Sequence, residues 1–82
     1  MLTDYIQAAM HRAKYSILED DGTYLGKIPD CQGVWAYSDT LEACRDELKE
    51  VLEEWIILGL QMGHLLPIIE GIDLSLRKEE AA

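Results

Sequence analysis

The acidic run Glu19-Asp20-Asp21 is the densest group of potential metal ligands in the first half of the chain. A magnesium site usually combines one or two carboxylates with water or substrate phosphates in octahedral geometry. Here Gly22 follows the acids directly, and Asp-Gly is a strong signal for a hairpin turn. In such turns Asp is favoured because its side chain bonds to the nearby backbone. We therefore interpret this run as a turn and predict no metal site.

Two cysteines and two histidines could also do chemistry. Cys31 and Cys44 could pair in principle, but their separation fits no zinc-binding pattern, and His11 and His64 are far apart in the sequence. The first residues lack the order of charges of a secretory signal, so we expect a cytoplasmic protein. Cysteines in that compartment are normally reduced. The sequence thus predicts buried or half-buried thiols.

Motifs for catalysis are missing from the sequence. It contains no glycine-rich phosphate loop, no metal-binding histidine pair and no nucleophile elbow. The serines Ser16, Ser38 and Ser75 have no histidine at a suggestive position. We therefore predict no catalytic, cofactor-binding or metal-binding residue, and a binding protein instead of an enzyme.

The charge balance narrows the choice of partner. The 82 residues carry a formal net charge of −9, which disfavours direct nucleic-acid binding because phosphate contacts need a basic surface. A basic protein partner is favoured, since opposite potentials speed and select encounters. Simple solubility is the alternative explanation for the acidity. The most apolar stretch, Trp55–Leu60, is too short to span a membrane.

Hydrophobic periodicity predicts an α+β fold in the order α-β-β-β-α-β. Three short strands form an antiparallel meander, a fourth strand returns to the sheet, and a long helix packs on one face. Thr40 caps that helix, and Gly63 stops it after about 22 residues. The remaining predicted elements are a helix from Thr3, capped by that residue, to about Arg12, strands at Tyr15–Glu19, Thr23–Ile28 and Val34–Tyr37, and a strand through Ile72, Leu74 and Leu76.

The first half of the long helix carries an acidic stripe. Glu42, Asp46, Glu50 and Glu54 follow one another at four-residue steps, and this spacing places them on one side of a helix. The stripe is either an ordinary solvated face or a docking surface for a basic partner. We include Trp35 among the candidate partner-binding residues because an aromatic ring here suits packing or an interface.

The second half of the same helix is apolar on almost every side. One sheet cannot bury all of Trp55, Ile57, Leu58 and Met62, and a helix of this kind is covered by more protein. Either the first helix and the Leu65–Ile69 segment wrap around it, or a second subunit does. We expect the second subunit, hence a homo-oligomer, because so short a chain buries little surface by itself.

The order of motifs from Ile28 to Cys44 resembles that of the HicB-like antitoxin family. The resemblance is carried by Ile28-Pro29-Asp30-x-x-Gly33-Val34-x-Ala36 and by Asp39-Thr40-Leu41-Glu42-x-Cys44, with Tyr24, Gly26 and Pro67 also in place. Family members have a Pro-Asp-Leu-Pro-Gly-Cys-like loop and a Gly-Asp-Thr-Leu-Glu-Glu-Ala-like helix start. The departures from these motifs are Cys31, Gln32, Val34 and Ser38, all at conformational or packing positions.

The resemblance implies a partial ribonuclease H-like sheet without that enzyme's carboxylates, over a single domain of residues 1–82. It also implies inhibition by binding, in which the protein covers a small, basic HicA-type toxin that cleaves mRNA with a histidine. Many family members add a DNA-binding domain, which we do not expect here. The alternative is an orphan interaction or small-ligand-binding module of the same fold with no toxin.

Overall fold

The elements follow one another as a helix, three strands and a long helix. The computed structural model describes residues 2–74. The strands form one antiparallel sheet in the order β1-β2-β3, and α2 packs against β2 and β3. The α+β class, the meander and the long covering helix are thus confirmed. The bounds are α1 (Leu2–His11), β1 (Lys14–Ile17), β2 (Tyr24–Lys27), β3 (Trp35–Ser38) and α2 (Leu41–Gln61).

The register of the sheet decides which side chains face α2. Gly26 of β2 lies opposite Tyr15 of β1 and Ala36 of β3. A Cβ atom on Gly26 would stand 3.1 Å from the Cys44 sulfur of α2. Because directly paired residues project to the same face of a sheet, this row points to α2. The adjacent row, which projects away from α2, consists of Lys14, Lys27 and Trp35.

Both ends of α2 are set by local sequence. The Thr40 hydroxyl accepts a hydrogen bond from the Ala43 amide at 3.1 Å, which satisfies one of the free N–H groups of the first turn. At the other end Gly63 has a φ of +73°. The amides of Gly63 and His64 donate to the carbonyls of Leu60 and Gly59, which is the Schellman arrangement. The predicted cap and stop are confirmed.

The core lies where α1, α2 and the loop after β2 meet. Tyr5 is completely buried, and its hydroxyl donates to the Pro67 carbonyl at 2.7 Å, so α1 is tied to the segment after α2. Within residues 2–74 neither helix is both long enough and apolar enough to cross a membrane. The other buried side chains of this core are Ala8, Ala9, Ile28, Cys31, Val34, Ala36, Leu48, Leu52, Ile56, Leu66 and Ile69.

The first helix starts one residue earlier than predicted. It begins at Leu2, so Thr3 lies inside the first turn and not at the cap position. The first two strands are shorter than predicted, since β1 ends at Ile17 and β2 spans Tyr24–Lys27. These differences are small because the apolar period is clear inside an element but weak at its ends.

The predicted fourth strand does not join the sheet within the described part of the chain. Ile72 instead exchanges two backbone hydrogen bonds with Ile69. Between them Glu70 and Gly71 both have positive φ, at 48° and 80°, as a two-residue type I′ turn requires. Leu76, the last apolar residue of the predicted strand, lies outside the described residues.

Candidate protein-interaction surfaces

The acidic stripe of α2 faces solvent. All four of its carboxylates, on Glu42, Asp46, Glu50 and Glu54, are exposed. On the side toward α1, a groove of about 690 Å³ is lined by Glu42, Asp46 and Glu53 together with Arg45 and Lys49. The two cations offset part of the charge there. The acidic character of the stripe is therefore strongest on the side away from α1, where Glu50 and Glu54 lie.

Glu47 is an acid of the same helix with a structural role. Its carboxylate accepts a hydrogen bond from the Ser38 hydroxyl at 2.7 Å. This bond ties the end of β3 to the second turn of α2 and helps to hold the angle between them. The stripe is presented at a defined orientation to the sheet as a result.

Trp35 lies on a different face from the acidic stripe. It projects from β3 away from α2, with half of its surface exposed, and its ring contacts that of Tyr37 at a centroid distance of 5.4 Å. The structure therefore separates the predicted partner-binding residues into two groups on opposite sides of the sheet. A compact partner seated on the stripe of α2 would not reach Trp35.

The outer face of the sheet combines aromatic and basic side chains. Lys14 and Lys27 stand directly opposite each other, and Lys27 is in turn opposite Trp35. Like charges in this arrangement are mutually destabilising unless they are well solvated, and both lysines are exposed. The sequence analysis identified Trp35 as a candidate interface residue but did not place the two lysines beside it, because the strand register that aligns them was not predicted.

The end of α2 carries an apolar patch, defined here by Trp55, Ile57, Leu58 and Met62. Ile57, Leu58 and Met62 are 54–65% exposed, and Trp55 is half-buried. The segment after the helix does fold back, because Leu66 contacts Gly59 so closely that a Cβ there would lie 2.7 Å from it. That segment leaves the three most exposed members of the patch uncovered. Within residues 2–74 the chain thus does not wrap its own apolar helix end.

Both thiols are free and buried, as predicted. Burial raises the pKa of Cys31 to about 11, and Asp30 adds to the shift. Burial likewise raises the pKa of Tyr5, which interacts with Cys31, to about 12. At neutral pH both groups are protonated, and a protonated thiol is a poor nucleophile. These groups contribute to packing.

The acidic turn uses its carboxylate for local bonding. Asp21 accepts a hydrogen bond from the Thr23 amide at 3.0 Å. Hydrogen bonding to the Thr23 side chain, and then to its amide, lowers the pKa of the Asp21 carboxyl. The interpretation of the run as a turn is confirmed. Among residues 2–74, no three Asp, Glu, His or Cys side chains are grouped so that they could hold a metal ion.

The fold and its surfaces define a small α+β domain with a helix-covered three-stranded meander. A family model described as UPF0150-like matches residues 4–67, and the chain belongs to this family. Its structure is similar to the crystal structure of TTHA0281 from Thermus thermophilus, with a TM-score of 0.82 and 36% sequence identity over 93% of this chain and 94% of that chain. No curated protein matches the chain.

Proposed function

We propose that this protein is a cytoplasmic antitoxin-like binding protein that covers a small, basic, mRNA-cleaving toxin of HicA type. The exposed acidic stripe of α2 is the observation that carries the proposal. A basic ribonuclease must offer positive charge to its RNA substrate. A negatively charged protein surface can compete for that same region. The resemblance of the Ile28–Cys44 motifs to HicB-like antitoxins gives the stripe its expected partner.

The stripe suits this role because its members are free to meet another protein. The side chains of Glu50 and Glu54 face solvent on the middle of the longest element, where a partner can approach without displacing the sheet. Exposed charges contribute more to the rate and selectivity of an encounter than to its final affinity. Apolar contacts beside the stripe would add the affinity.

Charge reversal on the stripe tests the proposal. If a small, basic HicA-type protein is encoded beside this chain, the double variant Asp46→Lys, Glu50→Lys should bind it more weakly. The variant should also no longer relieve the growth arrest that the basic protein causes on co-expression. The matched control is Glu19→Lys, Asp20→Lys, which makes the same change of net charge in the β1–β2 turn. If both variants protect the cell as well as the wild type does, the stripe is not the docking surface.

The alternative is an orphan interaction or small-ligand-binding module of the same fold, and it is favoured if the protein has no toxic partner. In that case the neighbouring reading frames encode no short basic protein with a histidine, or the encoded protein is not captured by this chain. A growth arrest that persists when both proteins are present would contradict the antitoxin proposal directly.

We also propose that the protein is a homo-oligomer through the apolar patch of α2. No Asp, Glu, Lys or Arg occurs from Trp55 to Ile69, and depletion of charge is typical of the centre of an interface. Two copies that each carry a net charge of −9 repel each other. This repulsion is weakest when they meet through a surface without charged side chains. Leu58→Glu should lower the mass measured by light scattering, and because Leu58 is 56% exposed, the fold should survive.

A further inference from the structure

The two outer edges of the sheet differ in chemistry. Within residues 2–74 the sheet has three strands, so β1 and β3 each present one unpaired edge. Such edges are templates for another strand, and proteins commonly protect them with lysine, proline or a bulge. Strand β1 begins with the exposed Lys14. Strand β3 reads Trp-Ala-Tyr-Ser and carries none of these protections.

The hydrogen-bonding pattern shows which backbone groups of β3 point away from β2. The amide of Ile28 donates to the carbonyl of Val34, and bonded pairs recur at every second residue of an antiparallel ladder. With the observed register, Ala36 is therefore bonded to β2. The N–H and C=O groups of Trp35 and Tyr37 point to the outer edge instead.

We propose that β3 pairs with β3 of a second copy of this chain, in antiparallel register about a two-fold axis at Ala36. In that register Trp35 of each copy is opposite Tyr37 of the other, and their outward backbone groups bond reciprocally. Two three-stranded sheets become one six-stranded sheet. The inference is independent of the proposed antitoxin function and uses a different surface from the apolar patch of α2.

The side chains favour a second copy as the occupant. Trp35 and Tyr37 are each 51% exposed on the outer face, and the pairing places four aromatic rings side by side there. Aromatic cross-strand pairs stabilise antiparallel ladders. Because β3 has no charged residue, self-pairing brings no like charges of the two strands together.

Proline substitution tests the edge directly. In Tyr37→Pro the missing N–H is one that points away from β2, so the monomer keeps its ladder, as proline does on edge strands. The variant should have half the wild-type mass by light scattering. The matched control, Ile17→Pro, removes an outward N–H from the β1 edge and should keep the wild-type mass. A Tyr37→Pro variant of wild-type mass would overturn the proposal.

A second variant covers the case in which Tyr37→Pro fails to fold. Trp35→Lys with Tyr37→Lys changes only exposed side chains and places cations opposite each other across the interface, so the mass should again be halved. Circular dichroism establishes that each variant is folded. A wild-type protein that is monomeric in light scattering would also refute the proposal.

Hydrogen exchange of backbone amides can distinguish pairing at the β3 edge from association through any other surface. In the oligomer the amides of Trp35 and Tyr37 should be protected, whereas those of Tyr15 and Ile17 on the β1 edge should exchange quickly. Leu58→Glu should leave the protection of Trp35 and Tyr37 unchanged, because it alters the apolar patch only. Equal, fast exchange at the two edges of an oligomeric sample would refute the proposal, because the copies would then associate elsewhere.

Discussion

Gly26 is required by close packing, since it lies under the Tyr15 ring and beside Cys44. A Cβ atom there would be 2.8 Å from the ring and 3.1 Å from the Cys44 sulfur. We expect Gly26→Ala to lower the free energy of unfolding by about 1–3 kcal/mol, as overpacking does. Urea denaturation measures it. In a Tyr15→Leu background the loss should be smaller, and an equal loss would show that the ring is not the cause.

Because the pKa of Cys31 is raised in the folded protein, the free energy of unfolding should decrease at alkaline pH. The folded pKa of Cys31 is about 11, above the ordinary value of 9.0, so the folded state favours the neutral thiol. This contribution is complete below pH 9 and is lost as the pH rises through 11, because the unfolded chain then binds fewer protons.

We therefore expect the stability gap between wild type and Cys31→Ala, measured by urea denaturation, to be constant from about pH 7 to about 9 and to narrow above it. The comparison with Cys31→Ala removes the general effect of rising negative charge, which both proteins share. Tyr5 should extend the wild-type decline toward pH 12, since its pKa is raised to about 12. A gap that stays constant up to pH 11 would contradict the assignment.

At the scale of the element, the effect of a helix cap can be tested by comparing two threonines, Thr40 at the start of α2 and Thr3 at the start of α1. The Thr40 hydroxyl bonds the Ala43 amide, whereas Thr3 lies within the first turn of α1. Thr40→Ala should cost about 1 kcal/mol of unfolding free energy, the usual value for a lost N-cap.

Thr3→Ala serves as the control and should change stability little, because alanine is the better helix former at a position inside a helix. Thermal unfolding followed by circular dichroism measures both. If Thr3→Ala costs as much as Thr40→Ala, then Thr3 has a role that its position inside the turn does not provide.

For the whole molecule, we predict that added salt has opposite effects on self-association and on the binding of a basic partner. The acidic stripe carries charge, whereas the surfaces proposed for self-association do not. Copies of net charge −9 repel at long range, so added salt should strengthen self-association through uncharged surfaces. Binding of a basic partner to the acidic stripe should weaken over the same change, because salt screens attraction as well as repulsion.

Sedimentation velocity at low and at physiological ionic strength measures self-association, and titration calorimetry measures partner binding. The Asp46→Lys, Glu50→Lys variant should show a smaller salt dependence in both experiments. Self-association that weakens with salt would indicate that charged contacts hold the copies together and would contradict the assignment to uncharged surfaces.

Local signals in the sequence were sufficient for the long helix α2 and for both of its ends. The three- and four-residue apolar period places Cys44, Leu48 and Leu52 on the buried side of α2, where they are found. Thr40 and Gly63 act through bonds to residues within a few positions of themselves. Such interactions depend little on the remainder of the chain, and this is why they were predictable.

Which of the candidate partner-binding residues share a surface could be seen only in the folded structure. Trp35 is close to Glu42 in the sequence, yet the two lie on opposite sides of the sheet, because the strand register determines which rows face α2. The outward backbone groups of Trp35 and Tyr37 likewise follow from the position of β3 at the edge. A strand lies at the edge only if no other segment pairs with its outer side, and within residues 2–74 none pairs with that side of β3.

By itself the sequence determined the α+β class, the limits of the long helix, its acidic first half and its apolar second half. These properties come from composition and short-range periodicity. Tertiary structure alone decided that residues 2–74 leave the apolar patch uncovered, that Trp35 is separated from the acidic stripe, and that β3 lies at the edge of the three-stranded sheet. Each of these depends on which elements pack side by side, and packing is set by the whole chain at once.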